Sequence, residues 1–67
     1  MRDMYCDETK TITEALRDTY NEAPVVMGKA TDEAGSLMTL WMNPTTDSWT
    51  IVATNKDYSC IVGVGEK

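Results

Sequence analysis

The sequence predicts an α+β fold in which one N-terminal helix packs on a four-stranded antiparallel meander sheet, with a disulfide tying the helix to the last strand. Three observations predict it. Helical spacing of apolar residues is confined to the first third of the chain. Short apolar runs separated by turn formers follow it to the end. The only two cysteines, Cys6 and Cys60, stand near opposite ends of the 67 residues.

The first predicted element is a helix over residues 7–22. Its apolar and small residues recur at helical spacing and form one stripe, Ile12, Ala15, Leu16, Thr19 and Ala23. Asp7 is a suitable N-cap. Thr11 and Glu14 also match a capping box, so a later helix start stays open. Pro24 ends the helix, because the residue before a proline is forced out of the helical region.

Four strands are predicted after the helix, over residues 25–31, 37–42, 48–54 and 59–64. Segments rich in turn formers separate them, and such short connections make each neighbouring pair antiparallel. In the first strand we prefer Val25 and Met27 as the inward residues, while Val26 and Ala30 remain the alternative.

Two strand registers assign the faces of this sheet. Pairing of Thr54 with Ser59 and of Met42 with Trp49 places one set of side chains together, namely Met38, Leu40, Met42, Trp49, Ile51, Ala53, Cys60, Val62 and Val64. A single helix is available to cover the sheet, so we expect it on this face. Cys60 would then face the core, beside Cys6 at the start of the helix.

A disulfide between Cys6 and Cys60 is also expected from the size of the chain. A domain this short buries only about 60% of the surface that its unfolded chain exposes, so its core is marginal. Small domains in oxidising compartments commonly add a disulfide. The chain-entropy model values a loop of this length at roughly 4 kcal/mol. We therefore predict a single disulfide-stabilised domain over residues 1–67.

Charge and hydropathy exclude two classes of partner. The net charge is −5 and the pI is near 4.3. Such a surface repels phosphates, so no nucleic-acid binding is expected. No apolar run is long enough to span a bilayer, so no membrane insertion is expected.

The chain has few residues that could carry catalysis. It contains no histidine, which removes the commonest general base and nitrogen metal ligand. The disulfide would consume both thiols. The acidic pairs at residues 7–8 and 32–33 are adjacent in sequence and do not indicate a shared cleft. We therefore expect no catalytic residues, no metal site, no cofactor and no enzymatic activity.

Function is therefore expected on the sheet face opposite the helix. By the registers above, that face carries Thr39, Trp41, Thr50, Val52 and Ile61. Contiguous exposed apolar surface tends to mark interaction sites, and tryptophan is enriched in binding hot spots. We predict that this face binds a protein partner or a second copy, and that Trp41→Ser weakens association at little cost in stability. The alternative that these side chains merely cover one another stays open.

A competing hypothesis places the chain inside a cell. There it would be an acidic effector of phage type that inhibits a host protein by occupying a basic groove. Free thiols rather than a disulfide would favour this hypothesis.

Short motifs are spread over residues 6–65, namely Cys6, Leu16, Tyr20, Glu22-Ala23-Pro24, Gly28-Lys29-Ala30, Leu40-Trp41-Met42-Asn43, Thr46, Trp49-Thr50-Ile51 and Cys60-Ile61-Val62. Together they resemble a group of small exported proteins of unknown function from marine and alphaproteobacterial genomes and their phages. The resemblance implies a periplasmic or extracellular domain whose signal peptide has been removed. The group has no assigned activity, so the resemblance carries over no functional residues. If Met1 is the natural start, the cytoplasm of an infected host is the alternative.

Overall fold

The computed structural model describes residues 5–31 and 35–66. In chain order its elements are strand β1 (Tyr5–Glu8), helix α1 (Thr9–Asp18) and strands β2 (Ala23–Lys29), β3 (Leu37–Met42), β4 (Trp49–Asn55) and β5 (Tyr58–Gly65). All neighbouring strands are antiparallel, and the five strands form one sheet in the order β1-β5-β4-β3-β2. The short strand β1 and the strand β2 therefore lie at the two edges.

The predicted four-stranded sheet is wrong, because the residues before the helix form a fifth strand. β1 pairs with β5 and places Cys6 directly opposite Cys60. The predicted disulfide is present, but it joins two neighbouring strands rather than the helix to the last strand. Asp7 was assigned as the helix N-cap. It lies in β1 instead, and its carboxylate accepts a hydrogen bond from the backbone N–H of Glu8 at 2.7 Å.

The helix is shorter than its predicted range of 7–22. It occupies 10 residues, and Thr19 follows as its C-cap. Asn21 then adopts a left-handed conformation with φ 54°, which asparagine tolerates better than most residues. The backbone N–H of Glu22 donates to the Leu16 carbonyl at 2.9 Å. The chain therefore leaves the helix before the Pro24 signal is reached.

The core lies between α1 and the sheet. Ile12 and Leu16 of the helix pack with Trp41 of β3 and Val52 of β4, and all four are at most 5% exposed. Ile61 of β5 packs against them at the margin. The helix therefore covers the sheet face that the sequence analysis had placed on the opposite side.

The predicted faces fail in two respects. The predicted pairings of Met42 with Trp49 and of Thr54 with Ser59 are present. A β-bulge between Ile51 and Val52, however, leaves Val62 as an extra residue of β5 and pairs Val64 with Thr50, so Val64 does not share the face of Cys60. In addition, the cysteine pair lies within the sheet, so it does not draw the helix to its own side.

A cluster of three hydroxyl groups joins the start of the helix to the sheet. The Ser59 hydroxyl has no solvent exposure and lies 2.8 Å from the hydroxyl of Thr9 and 2.8 Å from that of Thr54. The Thr9 backbone N–H also donates to the Asp57 carbonyl at 2.8 Å. These contacts fix the helix over β5 and satisfy polar groups that burial would otherwise penalise.

Candidate functional site

The structure brings the five predicted binding residues together on one sheet face, but it is the face that the helix covers. Thr39, Val52 and Ile61 are aligned across β3, β4 and β5, and Trp41 is aligned with Thr50 on the next row. All are buried except Ile61, which is half-buried. The exposure on which their binding role was based is therefore missing, and a partner would have to reach them through the helix.

The other side of the sheet carries a contiguous set of apolar side chains, which we call the open face. Its members are Val26, Met38, Leu40, Met42, Trp49, Ile51 and Ala53. The cross-strand registers place them in three rows, namely Val26 with Leu40 and Ile51 from β2 to β4, and Met38 with Ala53 and Met42 with Trp49 from β3 to β4. Val26 is 62% exposed, and the others are half-buried because they cover one another. None of the core residues of α1 lies on this side.

Glycines of β5 shape one margin of the open face. Gly65 is opposite Trp49, and a Cβ on Gly65 would overlap the Trp49 indole. Gly63 is opposite Ile51, and its Cβ would lie 3.7 Å from the same indole. The ring of Trp49 therefore lies over the end of β5, where Gly65 leaves room for it, whereas a Cβ on Gly63 would make an ordinary contact.

The disulfide forms the far corner of the same face. Cys60 is aligned with Ala53 and Met38, and Cys6 continues that row onto β1. Cys6 is exposed and Cys60 is half-buried. Glu8, two residues beyond Cys6 on β1, points to the same side and is the charged residue that borders the open face at this corner.

A second feature is a pocket of about 380 Å³ between the end of α1 and the ends of β4 and β5. We call it the Glu22 pocket. Its walls are largely apolar, with Leu16, Trp49, Ile61 and Val64 among the residues that line it. Glu22 lines the same pocket, although it is only 4% exposed. Charged side chains are rarely buried to this extent unless they are paired.

The carboxyl group of Glu22 has one satisfied and one unsatisfied oxygen. Oε2 accepts a hydrogen bond from the Ser48 hydroxyl at 2.8 Å. Oε1 is buried and has no hydrogen-bond partner among the described residues. Leaving such an atom unpartnered costs about 1–3 kcal/mol or more, so this residue stands out from the rest of the buried polar groups.

Asn43 organises the loop that brings Ser48 to Glu22. Its Oδ1 accepts hydrogen bonds from the backbone N–H groups of Thr45 and Thr46, at 2.7 and 3.2 Å. Its Nδ2 donates to the Tyr20 carbonyl at 3.0 Å, beside the end of the helix. One buried side chain thus holds the β3–β4 loop against the α1–β2 connection.

Glu22 was not among the predicted site residues, because the predicted helix ran to residue 22 and left that side chain on a helical surface. The local signal was its position two residues before Pro24, where a change of chain direction is required.

The described residues show no sign of a metal centre or of a membrane-spanning helix. Within residues 5–31 and 35–66, no three acidic or cysteine side chains cluster in a way that could hold a metal ion. No helix in the described part of the chain is long and apolar enough to cross a bilayer.

At the exposed end of β1, a hydrogen bond to Asp7 and the negative charge of that carboxylate raise the pKa of Tyr5.

Comparison with known proteins identifies no relative. No protein-family model matches the chain, and no curated protein or solved structure matches it. The open face and the Glu22 pocket are therefore the features from which function is inferred.

Proposed function

We propose that this chain is a small non-enzymatic binding domain whose open face associates with a second copy of the chain. One observation carries the proposal: an uncharged apolar surface spans three strands on the side of the sheet away from the helix. Contiguous apolar surface of this kind tends to be covered by a partner.

The chemistry of the open face favours a second copy as the partner. Two molecules of net charge −5 repel each other at long range, but the seven side chains of the open face are all uncharged. Stacking two such faces therefore keeps the acidic groups at the rim. Sheets stack in this manner about 10 Å apart, with their strands within about 30° of alignment. Met38 and Met42 add flexible side chains that adapt to an opposing surface.

The size of the face sets the expected strength of the association. Three strands about 4.8 Å apart and about 20 Å long give an apolar face of roughly 300 Å² per molecule. Two copies would bury about 600 Å², which is the size of a weak, transient contact. We therefore expect a dimer with a dissociation constant in the upper micromolar range.

Export to the periplasm or the extracellular space is part of the same proposal. The Cys6–Cys60 disulfide is of a kind that persists in oxidising compartments and is rare in the cytosol. It borders the open face, so the surface proposed to associate is also the one that reduction would disturb. The resemblance to small exported proteins agrees with this localisation.

The non-enzymatic character of the proposal is supported by the residues the chain has. It has no histidine, and both cysteines are in the disulfide. A nucleophile would therefore lack the usual activating base.

Two adjacent residues of β2 provide a matched test. Gly28 is on the open-face side, and nothing lies within 4 Å of the position that its Cβ would occupy. Gly28→Glu therefore adds a charge to the face without displacing a neighbour. Met27 is aligned with Thr39 on the other side of the sheet and is 60% exposed. Met27→Glu adds the same type of side chain on the same strand but away from the open face.

The experiment is sedimentation equilibrium of the wild type and both variants over a range of concentrations. We expect the wild type and Met27→Glu to dimerise and Gly28→Glu to remain monomeric. A wild type that is monomeric at about 1 mM, above an upper-micromolar dissociation constant, would contradict the proposal. Equal weakening by both variants would also contradict it, since that result would place the contact at the edge of β2.

A further inference from the structure

We infer that the Glu22 pocket is a binding site for a primary ammonium group attached to a small apolar body. The site lies on the helix side of the sheet, where α1 ends, and it shares Trp49 with the open face. Its volume of about 380 Å³ falls in the range of pockets that hold small molecules.

The carboxyl group of Glu22 has an unsatisfied oxygen, which indicates that a donor binds there. The side chain is 4% exposed, and Ser48 satisfies Oε2 only. Oε1 has no partner among the described residues. Buried polar atoms in folded proteins are nearly always hydrogen-bonded. A bound donor would therefore complete this group, and a cationic donor would also neutralise its charge.

The second argument is the charge of the pocket. The described residues that line it include two acidic side chains, Glu22 and Glu66, and no lysine or arginine. An anionic ligand would meet repulsion without any compensating cation. A neutral donor could bond to Oε1 but would leave the carboxylate charge uncompensated.

The third argument is the composition of the walls. Leu16, Ile61 and Val64 provide apolar surface, and Tyr20 and Trp49 provide aromatic rings. Aromatic rings attract cations through their negative faces. Together with the carboxylate, these walls fit a ligand that has an apolar body and a single cationic end. The need to donate a hydrogen bond to Oε1 selects a primary ammonium over a quaternary one.

The test is an NMR titration of ¹⁵N-labelled protein with 2-phenylethylammonium. We expect saturable shifts at Tyr20, Trp49 and Ile61. The neutral 3-phenylpropan-1-ol and tetramethylammonium, which has no N–H donor, should bind much more weakly. Equal binding of either control compound, or no shifts with the amine, would overturn the inference.

Two charge-removing substitutions assign the binding to Glu22. Glu22→Gln keeps the shape of the side chain and should weaken binding of the amine at least about tenfold. Glu14→Gln removes the same charge from an exposed position on α1 and should leave binding unchanged. Equal affinity in wild type and Glu22→Gln would overturn the assignment.

Val64→Lys keeps the test decisive if Glu22→Gln does not fold. Val64 is 66% exposed at the mouth of the pocket, so the substitution does not disturb the core. The introduced ammonium should occupy the site and abolish binding of the added amine. Undiminished binding would overturn the inference.

The source of the natural ammonium group is distinguished by a second ligand, N-acetyl-lysine-methylamide. Tighter binding of this compound than of 2-phenylethylammonium assigns the site to a lysine side chain of a polypeptide. Tighter binding of the free amine assigns it to a small molecule. Repeating the titrations in Gly28→Glu separates this site from self-association, because that variant leaves the pocket intact.

Discussion

Cys6 and Cys60 are directly opposite each other on neighbouring antiparallel strands, with their Cα atoms 4.0 Å apart. Their disulfide closes a loop with a sequence separation of 54 and holds the four-residue strand β1 against β5. The bond lies at the edge of the sheet and on its open side. It thus stabilises an edge strand rather than the junction of helix and core.

We predict that loss of this disulfide lowers the free energy of unfolding by roughly 4 kcal/mol, the chain-entropy value for a loop of this length. The quantity is measured by guanidinium denaturation with and without reductant. Cys6→Ser/Cys60→Ser serves as the control, since reductant should not change its midpoint. A difference below about 1 kcal/mol between oxidised and reduced wild type would contradict the account.

The two tryptophans, on opposite faces of the sheet, should respond differently to truncation. Trp41 is 5% exposed beneath the helix, so Trp41→Ala should cost about 3–5 kcal/mol. This is the opposite of the small cost expected from sequence for Trp41→Ser. Trp49 is half-buried on the open face, so Trp49→Ala should cost about half as much.

Guanidinium denaturation of the two variants, followed by circular dichroism, measures these costs. Acrylamide quenching then provides an independent check, because the single tryptophan of Trp41→Ala should be more accessible than that of Trp49→Ala. Similar stability losses in both variants would mean that the helix does not cover the face that carries Trp41.

The faces could not be predicted from the sequence, because both sides of β3 and β4 alternate in acceptable patterns. The range of β3 and the pairing of Met42 with Trp49 follow from turn formers and alternation, and both are present in the structure. The extra residue Val62 in β5 has no such local signal. β1 was missed since a four-residue strand is too short to show a period. The assignment of the helix to one face then depended on Cys6, whose place in the sheet was unknown.

The candidate sites, like the fold, could be predicted only in part from the sequence. The sequence analysis grouped Trp41, Val52 and Ile61 correctly as neighbours, because register alone decides which side chains share a face. It could not decide which face the helix covers. The Glu22 pocket depends on the left-handed turn at Asn21 and on the β3–β4 loop, which particular hydrogen bonds hold in place and which show no sequence period.

The loop around Asn43 should be essential for stability. Asn43 is 8% exposed and makes three hydrogen bonds to backbone groups. Asn43→Ala should lower the free energy of unfolding by about 2–3 kcal/mol, at about 1 kcal/mol for each bond lost. Thr45→Ala, at an exposed position in the same loop, should cost less than about 1 kcal/mol. Equal losses in urea denaturation would contradict this role.

The contact between Tyr5 and Asp7 should be visible as a pH effect. The Tyr5 hydroxyl donates to Asp7 Oδ2 at 3.0 Å, and this bond raises the pKa of Tyr5 above 10.0. The folded state therefore holds the proton more tightly than the unfolded state. The resulting stabilisation is complete below pH 10 and is lost as the pH rises through the folded pKa.

Asp7→Asn should lower the pKa of Tyr5 towards its ordinary value. The measurement is the absorbance of tyrosinate during alkaline titration, with Tyr5→Phe used to isolate the contribution of this residue. An unchanged titration in Asp7→Asn would show that the hydrogen bond does not form in solution.

Association through the open face is the central claim, and isotope-filtered NMR of a mixture of ¹³C-labelled and unlabelled protein tests it most directly. At about 1 mM, above a micromolar dissociation constant, we predict intermolecular contacts between the Ile51 methyl groups of one copy and Leu40 or Met42 of the other. The absence of intermolecular contacts, or contacts confined to the helix side of the sheet, would contradict the claim.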